Sequence, residues 1–194
     1  MKNPKEELTY LMIKPDGVRK GLIGEIIRRL EQRDLKIVAL EMFQPTLEQI
    51  DEHYPKDETW IARLGQKTFK TCEKYNVSPK DEFGTDNELE MGKLVRGWLV
   101  NYMVSAPLVK MIVQGTHAVD MVRKIVGPTL PNLAEMGTIR GDFSVDSPLI
   151  ANAEHRAVMN LAHASETPEE AAHEIEHWFG KDAVHAYKRF GVDE

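Results

Sequence analysis

The sequence predicts an α/β (α+β) fold of the ferredoxin-like type, βαββαβ, in which helices pack on a four-stranded antiparallel sheet. Three observations support this prediction. Short apolar stretches alternate with segments of helical periodicity in the order β-α-β, then β-α-loop-β-α. A long, highly charged stretch of helical character separates the two halves. Hydrophobic residues make up 42% of the 194 residues, enough for a buried core.

The first half contains two predicted strands and two predicted helices. Glu7–Ile13 is short, apolar and closed by a Pro-Asp-Gly turn at Pro15–Gly17, which indicates a strand. Residues 21–34 follow with apolar side chains at helical spacing. Leu35–Phe43 has the character of a second strand. A short helix is expected next, with Thr46 as its N-cap.

The second half repeats the plan after a charged helical segment. A helix is expected from Asn87 to Val104, and Pro107–Gly115 has the pattern of a third strand. The next helix should end at Gly127, and the glycine- and proline-rich stretch 127–143 is expected to be mostly loop. Ala157–Ser165 is expected to form the fourth strand.

The last predicted helix begins at its N-cap Thr167 and contains HEIEH, which fits the zinc-protease pattern H-E-x-x-H. At about 100° per residue, a buried stripe centred on Ile175 leaves His173 and His177 on the solvent side. The same projection predicts that Glu174 lies at the boundary between core and solvent. The predicted buried stripe also includes Ala171, Ala172, Trp178 and Phe179. A zinc site needs its histidines turned into a cleft, so the peptidase hypothesis is disfavoured.

Composition narrows the classes of protein further. The formal net charge of −6 gives no sign of general nucleic-acid binding, although it leaves room for a local basic cleft. The single cysteine, Cys72, fits a reducing compartment. No apolar run approaches the ~20 residues of a membrane span. We therefore expect a cytoplasmic protein with no membrane or nucleic-acid partner.

The candidate chemistry centres on His163 at the end of the fourth predicted strand. A neutral histidine nitrogen can attack phosphorus, and a carboxylate on its other nitrogen would orient the ring. Lys14, Arg123 and Arg140 supply cations for phosphate oxygens. The sequence contains neither a P-loop nor the protein-kinase motifs, so another kind of phosphate site is required.

These residues occur in a recognisable set of motifs. The chain resembles the nucleoside diphosphate kinases in MIKPDGVRKGLIGEII, in His53-Tyr54, in GPT and GTIRGDF, and in NLAHAS leading to EIEHWF, all in the family's order. Any one of these motifs is weak, but KPDGV, GTIRGDF and N-x-x-H-x-S together are highly specific. The resemblance implies a ping-pong transfer of the γ-phosphoryl group from a nucleoside triphosphate to a nucleoside diphosphate.

The resemblance also implies a role for individual residues. His163 would be the phosphorylated nucleophile, Glu174 would hold its other ring nitrogen, and Ser165 would support the histidine. The other implied contacts are Lys14 to the γ-phosphate and sugar, Tyr54 beside the histidine, Arg123 and Thr129 to the β-phosphate, Arg140 to the terminal phosphates, and Asn160 to the ribose. Mg²⁺ would be bound through the nucleotide phosphates, with no protein metal ligand. A homo-oligomer is implied, with a hexamer favoured over a tetramer or dimer, and broad base tolerance is expected.

The chain departs from the family pattern in three places. Relative to the family, we expect a single domain, residues 1–194, with insertions at about 56–97 and 146–157. The family's base-stacking phenylalanine has no clear counterpart, so four candidates for the base site remain open: Phe69, Phe83, Val95 and Trp98. Pro128, Ala164 and Glu166 replace the usual Glu, Gly and Asp.

Two alternatives remain beside the kinase. One is a nucleotide-binding or regulatory module that keeps the fold but lacks catalysis, and the other is the zinc peptidase. Each implied site residue also has a structural alternative: Lys14 and Thr129 as turn residues, Tyr54 as core filling, and Arg140 as part of an ion pair inside its loop. Their joint occurrence within matching local sequence favours the functional interpretation.

Overall fold

Four strands form one sheet in the computed structural model, which describes residues 6–190. They are β1 (Glu7–Ile13), β2 (Lys36–Phe43), β3 (Leu108–Gly115) and β4 (Ala162–Ala164). The strand order is β2-β3-β1-β4, and every neighbouring pair is antiparallel. This is the predicted ferredoxin-like sheet. The two ends of the predicted domain 1–194 lie outside the described residues.

Helices connect and cover the strands. In chain order they are α1 (Pro15–Arg19), α2 (Ile23–Glu31), α3 (Leu47–His53), α4 (Glu58–Lys74), α5 (Pro79–Phe83), α6 (Glu88–Met103), α7 (Ala118–Val126), α8 (Ile139–Phe143), α9 (Pro148–Ala153) and α10 (Pro168–Phe179), with a 3₁₀ turn at Pro131–Leu133. The Pro-Asp-Gly segment, expected to be a turn, is the first turn of α1. The stretch 127–143, expected to be mostly loop, includes both the 3₁₀ turn and α8.

The central strand β1 is buried on both faces. Leu11 and Ile13 pack with α2 and α7, whereas Tyr10 and Met12 face a second cluster that contains Trp178 of α10. Because β1 has neighbours on both sides, its carboxyl end is fixed from both sides as well. Lys14, which follows β1 directly, is therefore held at a rigid position.

The fourth strand is shorter than the sequence predicts. Ala157–Ser165 was expected to be extended throughout, but pairing with β1 covers only residues 162–164. Leu161 has a φ of 70°, which breaks the strand. Side chains satisfy the backbone before it, since Met159 N donates to Asp146 Oδ2 and Leu161 N donates to an oxygen of Asp16. Polar groups thus replace the sheet ladder just before His163.

The last helix buries a different stripe from the predicted one. Ala171, Glu174 and Trp178 are buried, and Ala172, predicted to be buried, is exposed. Ile175 is only partly buried, so the stripe is centred nearer to Glu174 than predicted. Glu174 is 5% exposed rather than lying at the boundary. The misplacement has a physical reason: the projection counted only apolar residues, but Glu174 is buried with two hydrogen-bond partners.

The charged segment 56–97 is helical, as predicted. Its main feature is a hairpin of α4 and α6, whose axes approach closely at two glycines. A β-carbon on Gly65 would lie 1.9 Å from the carbonyl oxygen of Glu88, and one on Gly92 would lie 1.9 Å from that of Ile61. The hairpin therefore depends on the missing side chains at both positions. The second predicted insertion, 146–157, contains α9.

The residues after α10 run along the edge strand β2. His185 N donates to the carbonyl oxygen of Val38 over 2.8 Å, and the Tyr187 hydroxyl donates to that of Ile37 over 2.8 Å. Ala183 packs on the cluster of Val38, Ala39 and Ile112. Within residues 6–190, no helix has the length and apolar character needed to cross a membrane.

Candidate active site

A network of buried polar side chains surrounds the end of β1. Lys14 Nζ donates to Asn160 Oδ1 over 2.8 Å, and Asn160 Nδ2 donates to the carbonyl oxygen of Thr129 over 3.0 Å. Lys14 is 9% exposed and Asn160 is 5% exposed. Burial, together with the nearby Arg140 charge, lowers the pKa of Lys14 to about 8. The ammonium group is thus poorly hydrated, and a bound anion would stabilise its positive charge.

Arg140 lies at the start of α8 and is almost completely buried. Its guanidinium donates to the carbonyl oxygens of Asn160, Gly127 and Ala162 over 2.9, 2.7 and 2.5 Å. Burial and the Arg123 charge lower its pKa to about 10. These contacts join three segments of the site without an ion pair. They occupy three of the five guanidinium N–H groups, which leaves two for a ligand.

Asp16 organises the same region, although the sequence analysis assigned it no role. Its carboxylate accepts hydrogen bonds from the Tyr102 hydroxyl and from Leu161 N. It therefore ties α1 to α6 and to the segment before β4. The signal in the sequence was its place within KPDGV, two residues after Lys14.

His163 is placed by β4, and its ring is held by α10. His163 Nε2 lies 2.6 Å from Glu174 Oε1, and Ser165 Oγ donates to Glu174 Oε2 over 2.6 Å. Burial raises the pKa of Glu174, but the contacts with His163 and Ser165 outweigh it and the pKa lies below its ordinary value. An ionised Glu174 fixes the hydrogen on Nε2, so Nδ1 carries the free lone pair. The ring is thereby oriented as a nucleophile.

A second histidine, His53, packs against the first. The two ring centroids are 5.7 Å apart with the planes nearly perpendicular. Burial, followed by the His163 charge, lowers the pKa of His53 to about 3, so this ring is neutral at physiological pH. Sequence reasoning named the His53-Tyr54 pair but gave a role only to the tyrosine. His53 is nevertheless a close aromatic neighbour of the candidate nucleophile.

Two cavities meet at His163. The polyphosphate cavity, of about 460 Å³, is lined by charged and polar groups that include Lys14, Thr129, Asn160 and His163 together with Arg123 and Arg140. The side cavity, of about 890 Å³, shares Lys14, Thr129, Asn160 and His163 and adds Glu174 and Tyr54. Eight of the nine residues given a role from the sequence thus line one cavity or the other, and the ninth, Ser165, is fully buried. The candidate nucleophile stands where they join.

Fewer contacts hold the remaining candidate side chains. Arg123, in the last turn of α7, is exposed and lies 3.3 Å from Glu166. Thr129 is exposed and contributes its carbonyl oxygen to Asn160, so its hydroxyl is not committed to that bond. Tyr54 ends α3, and its ring centroid lies 6.0 Å from that of Trp60. Burial raises the pKa of the Tyr54 hydroxyl, which keeps it neutral.

The four candidates for a base contact differ in whether they line the side cavity. Val95 and Trp98 line it, but Phe69 lies on another depression and Phe83 packs against Trp98 and His155. Sequence reasoning did not consider Trp60, Leu64 and Leu99, which also line the side cavity. Trp60 and Leu64 are four positions apart on α4, so helical spacing was the available signal.

Both HEIEH histidines line the side cavity, but within residues 6–190 they form no metal-binding group with a third ligand. His173 and His177 are exposed, as predicted, with ring centroids 6.4 Å apart. Among residues 6–190, the His and Glu side chains close enough to share a metal ion are His163, Glu170 and Glu174. The motif therefore lacks the geometry of a zinc peptidase.

Comparison with known proteins agrees with this geometry. The family model described as "Nucleoside diphosphate kinase" matches residues 7–72 and 61–184. A nucleoside diphosphate kinase of Pyrobaculum aerophilum is 48% identical over 178 residues, covering 92% of this chain and 97% of the relative. One from Archaeoglobus fulgidus is 34% identical over 187 residues, covering 96% and 95%.

Solved structures give the same result. A crystal structure of an NDP kinase from Pyrobaculum aerophilum superposes with a TM-score of 0.89 at 46% identity, covering 93% of this chain and 100% of that one. A transition-state mimic of the Borrelia burgdorferi nucleoside-diphosphate kinase, with bound vanadate and ADP, superposes with a TM-score of 0.76 at 30% identity. It covers 97% of this chain and 95% of its own.

Proposed function

The chain belongs to the nucleoside diphosphate kinase family, and from this premise we propose that its phosphoryl transfer passes through His163 Nδ1. The enzyme moves the γ-phosphoryl group of a nucleoside triphosphate to a nucleoside diphosphate. One observation supports the assignment of Nδ1 as the nucleophile. Nε2 of His163 is held 2.6 Å from Glu174, while the ring lines both cavities. Of the two ring nitrogens, Nδ1 is therefore the one with a free lone pair.

The proposed reaction has two half-steps. Nδ1 attacks the γ-phosphorus, a P–N bond forms, and the bond from that phosphorus to the bridging oxygen breaks as the nucleoside diphosphate leaves. In the second half, a terminal oxygen of another nucleoside diphosphate attacks the phosphohistidine, and the P–N bond breaks. Glu174 stabilises the positive charge that develops on the imidazole ring and returns it to the same tautomer.

The cations of the polyphosphate cavity are proposed to hold the phosphates throughout. Lys14, Arg123 and Arg140 surround the space beside His163, and each can neutralise oxygens that gain charge in the transition state. Asn160 is proposed to bind the ribose and Thr129 the β-phosphate. Tyr54 is proposed to line the path between the histidine and the base. Catalysis of this type rests on positioning and charge stabilisation.

Mg²⁺ is proposed to be bound by the nucleotide's own phosphates. Two carboxylates of the polyphosphate cavity already have partners: Glu166 lies 3.3 Å from Arg123, and Glu170 accepts from Glu166 N over 2.5 Å. This donor set fits an ion held mainly by phosphate oxygens and water better than a cage of protein carboxylates. When bound, the ion neutralises charge on the phosphates.

Two further features are proposed from the family. We propose a homo-oligomer, with a hexamer favoured over a tetramer or dimer. We also propose a cytoplasmic location, supported by the single buried cysteine, Cys72, which suits a reducing compartment. Size-exclusion chromatography with light scattering would measure the assembly directly.

The mechanism is tested by trapping the intermediate. Brief incubation with Mg²⁺ and ATP, followed by intact mass and peptide mapping at alkaline pH, should place one phosphoryl group on His163. Adding GDP should discharge it. His163→Ala should remove both the label and the transfer, whereas His185→Ala, at an exposed histidine that lines neither cavity, should change neither. A label with no discharge, or transfer that survives in His163→Ala, would refute the proposed nucleophile. Nucleotide binding without a label would favour the catalytically inactive module.

A further inference from the structure

The two predicted inserted segments contact each other beside the nucleotide site. The His155 ring, just after α9, is stacked on Trp98 of α6 with centroids 5.8 Å apart and planes at 10°. Its Nε2 lies 3.2 Å from Glu82 Oε1 at the end of α5, and Phe83 packs against both His155 and Trp98. Helices α4 and α9 also pack together. Segments far apart in the sequence thus form one continuous wall.

Trp98 and residues of α4 and α9 also line the side cavity. Helix α4 supplies Trp60, Leu64 and Thr71 at helical spacing, and α9 supplies Pro148 and Asn152. At about 890 Å³, the side cavity lies within the range of small-molecule sites, about 300–1,000 Å³. It is continuous with Lys14 and His163, so it lies where the nucleoside part of a bound nucleotide must extend.

The lining of the side cavity fits a flat, partly polar group. Trp60 and Trp98 present aromatic surface, and Leu64 and Leu99 add apolar surface. Stacking on such surfaces is tolerant of the identity of the base, because every base has a π-face. Discrimination between bases requires a polar group near the base edge.

Asn152 is such a group. It is half-buried on α9 and lines the side cavity, and within residues 6–190 its side-chain amide has no hydrogen-bond partner. An amide both donates and accepts, which matches the paired donors and acceptors on a base edge. It lies on α9, which packs against α4, so a larger base stacked on Trp60 reaches farther across the cavity than a smaller one.

We propose that the nucleobase binds between α4 and α9 and that Asn152 hydrogen-bonds its edge, which favours purines over pyrimidines. This inference rests on the proposed function, because it places the base beyond the phosphates at His163. It departs from the broad base tolerance expected from contacts to phosphate and sugar alone. The second inserted segment would then contribute to substrate choice.

The test compares acceptors on the phosphorylated enzyme. The full chain, loaded with ATP and Mg²⁺, is discharged with ADP, GDP, CDP or UDP, and kcat/KM is measured for each acceptor. Asn152→Ala should lower the purine-to-pyrimidine ratio about three- to tenfold, the order of one hydrogen bond. Asn101→Ala removes the same group from an exposed position of α6 and should leave the ratio unchanged. Urea midpoints check that both variants are folded.

Each outcome decides one of the two proposals. A ratio that is the same in the wild type and Asn152→Ala overturns the inference while leaving the kinase mechanism intact. If no acceptor discharges the wild-type enzyme, the proposed mechanism fails. Equilibrium dialysis of ADP and CDP against both proteins then still tests the base contact. Equal weakening of ADP and CDP binding in Asn152→Ala would also count against Asn152 as a base contact.

Discussion

Glu174 and His163 lie eleven positions apart in the sequence but only 2.6 Å apart in space, between Oε1 and Nε2. The contact is possible because β4 and α10 are joined by a short capped connection, in which Thr167 Oγ1 accepts from Glu170 N. Glu174 is buried, and Ser165 occupies its second oxygen. One carboxylate therefore fixes both the tautomer and the direction of the His163 ring.

Replacing Glu174 by Gln should slow phosphorylation of His163. Loss of the negative charge removes the group that stabilises the developing imidazolium and leaves the ring less well oriented. We expect a fall in kcat of about 10- to 100-fold, the order that follows from misplacing a reacting group by about 1 Å. Rapid-quench measurement of phosphohistidine formation would show it. Glu176→Gln, on the exposed face of the same helix, should have no such effect.

The same substitution should have a pH-dependent effect on stability. The pKa of Glu174 lies below its ordinary value, so its carboxylate contributes stability above the ordinary pKa, which is lost as the pH falls through the lowered one. Glu174→Gln should therefore be less stable than the wild type at neutral pH, and the difference should shrink in acid. Urea unfolding of both proteins at neutral and at acidic pH measures this difference in the free energy of unfolding. A difference that is constant with pH would contradict the assignment.

Lys14 should set an alkaline limit to activity. Its pKa of about 8 means that the free enzyme loses this positive charge as the pH rises through that value. We expect kcat/KM to decline above about pH 8 and the limit on kcat to lie higher, because bound phosphates stabilise the ammonium group. Lys14→Arg should be less active but should lack this limb. A wild-type profile that is flat to pH 10 would refute the prediction.

The sequence predicted the parts of this site that depend on local pattern. The strand β1, the helix α10 and the N-caps Thr46 and Thr167 follow from apolar spacing and capping chemistry, and all are present. The shortened β4 was missed because its backbone is satisfied by side chains distant in the sequence. The burial of Glu174 was missed because the helical projection counted only apolar residues, whereas Glu174 is buried through its hydrogen bonds with His163 and Ser165.

The lining of the side cavity could not be predicted from one sequence. Trp60 and Asn152 meet across a cavity only because α4 and α9 pack together. No local periodicity encodes the contact of His155 with Glu82, since 73 positions separate them. By contrast, the cations of the polyphosphate cavity could be named because the family motifs contain them.

The close crossing of α4 and α6 should be sensitive to a single methyl group. At Gly65 a β-carbon would lie 1.9 Å from a backbone oxygen, so Gly65→Ala should destabilise the chain by about 1–3 kcal/mol or more. Gly24→Ala is a matched control, because Gly24 lies in α2 with open space around it. It should stabilise by about 0.5–1 kcal/mol. Urea midpoints would test both, and equal effects of the two substitutions would contradict the crossing.

Asp16 should affect both stability and the titration of Lys14. Asp16→Asn weakens the hydrogen bonds from Tyr102 and Leu161, so we expect a loss of about 1.5–3 kcal/mol per charged bond removed. It also removes a charge that raises the pKa of Lys14, so the alkaline limb of kcat/KM should move to lower pH. Tyr102→Phe removes one bond but no charge, and it should leave the limb nearly in place.

The segment that follows α10 limits where another strand can add to the sheet. An edge strand normally presents free backbone groups on which another strand can assemble. Here His185 and Tyr187 take up the carbonyl oxygens of Val38 and Ile37. The first half of β2 is thus closed to strand addition by the chain itself. Any strand added along this edge must pair beyond Val38, where Leu40 and Met42 are exposed.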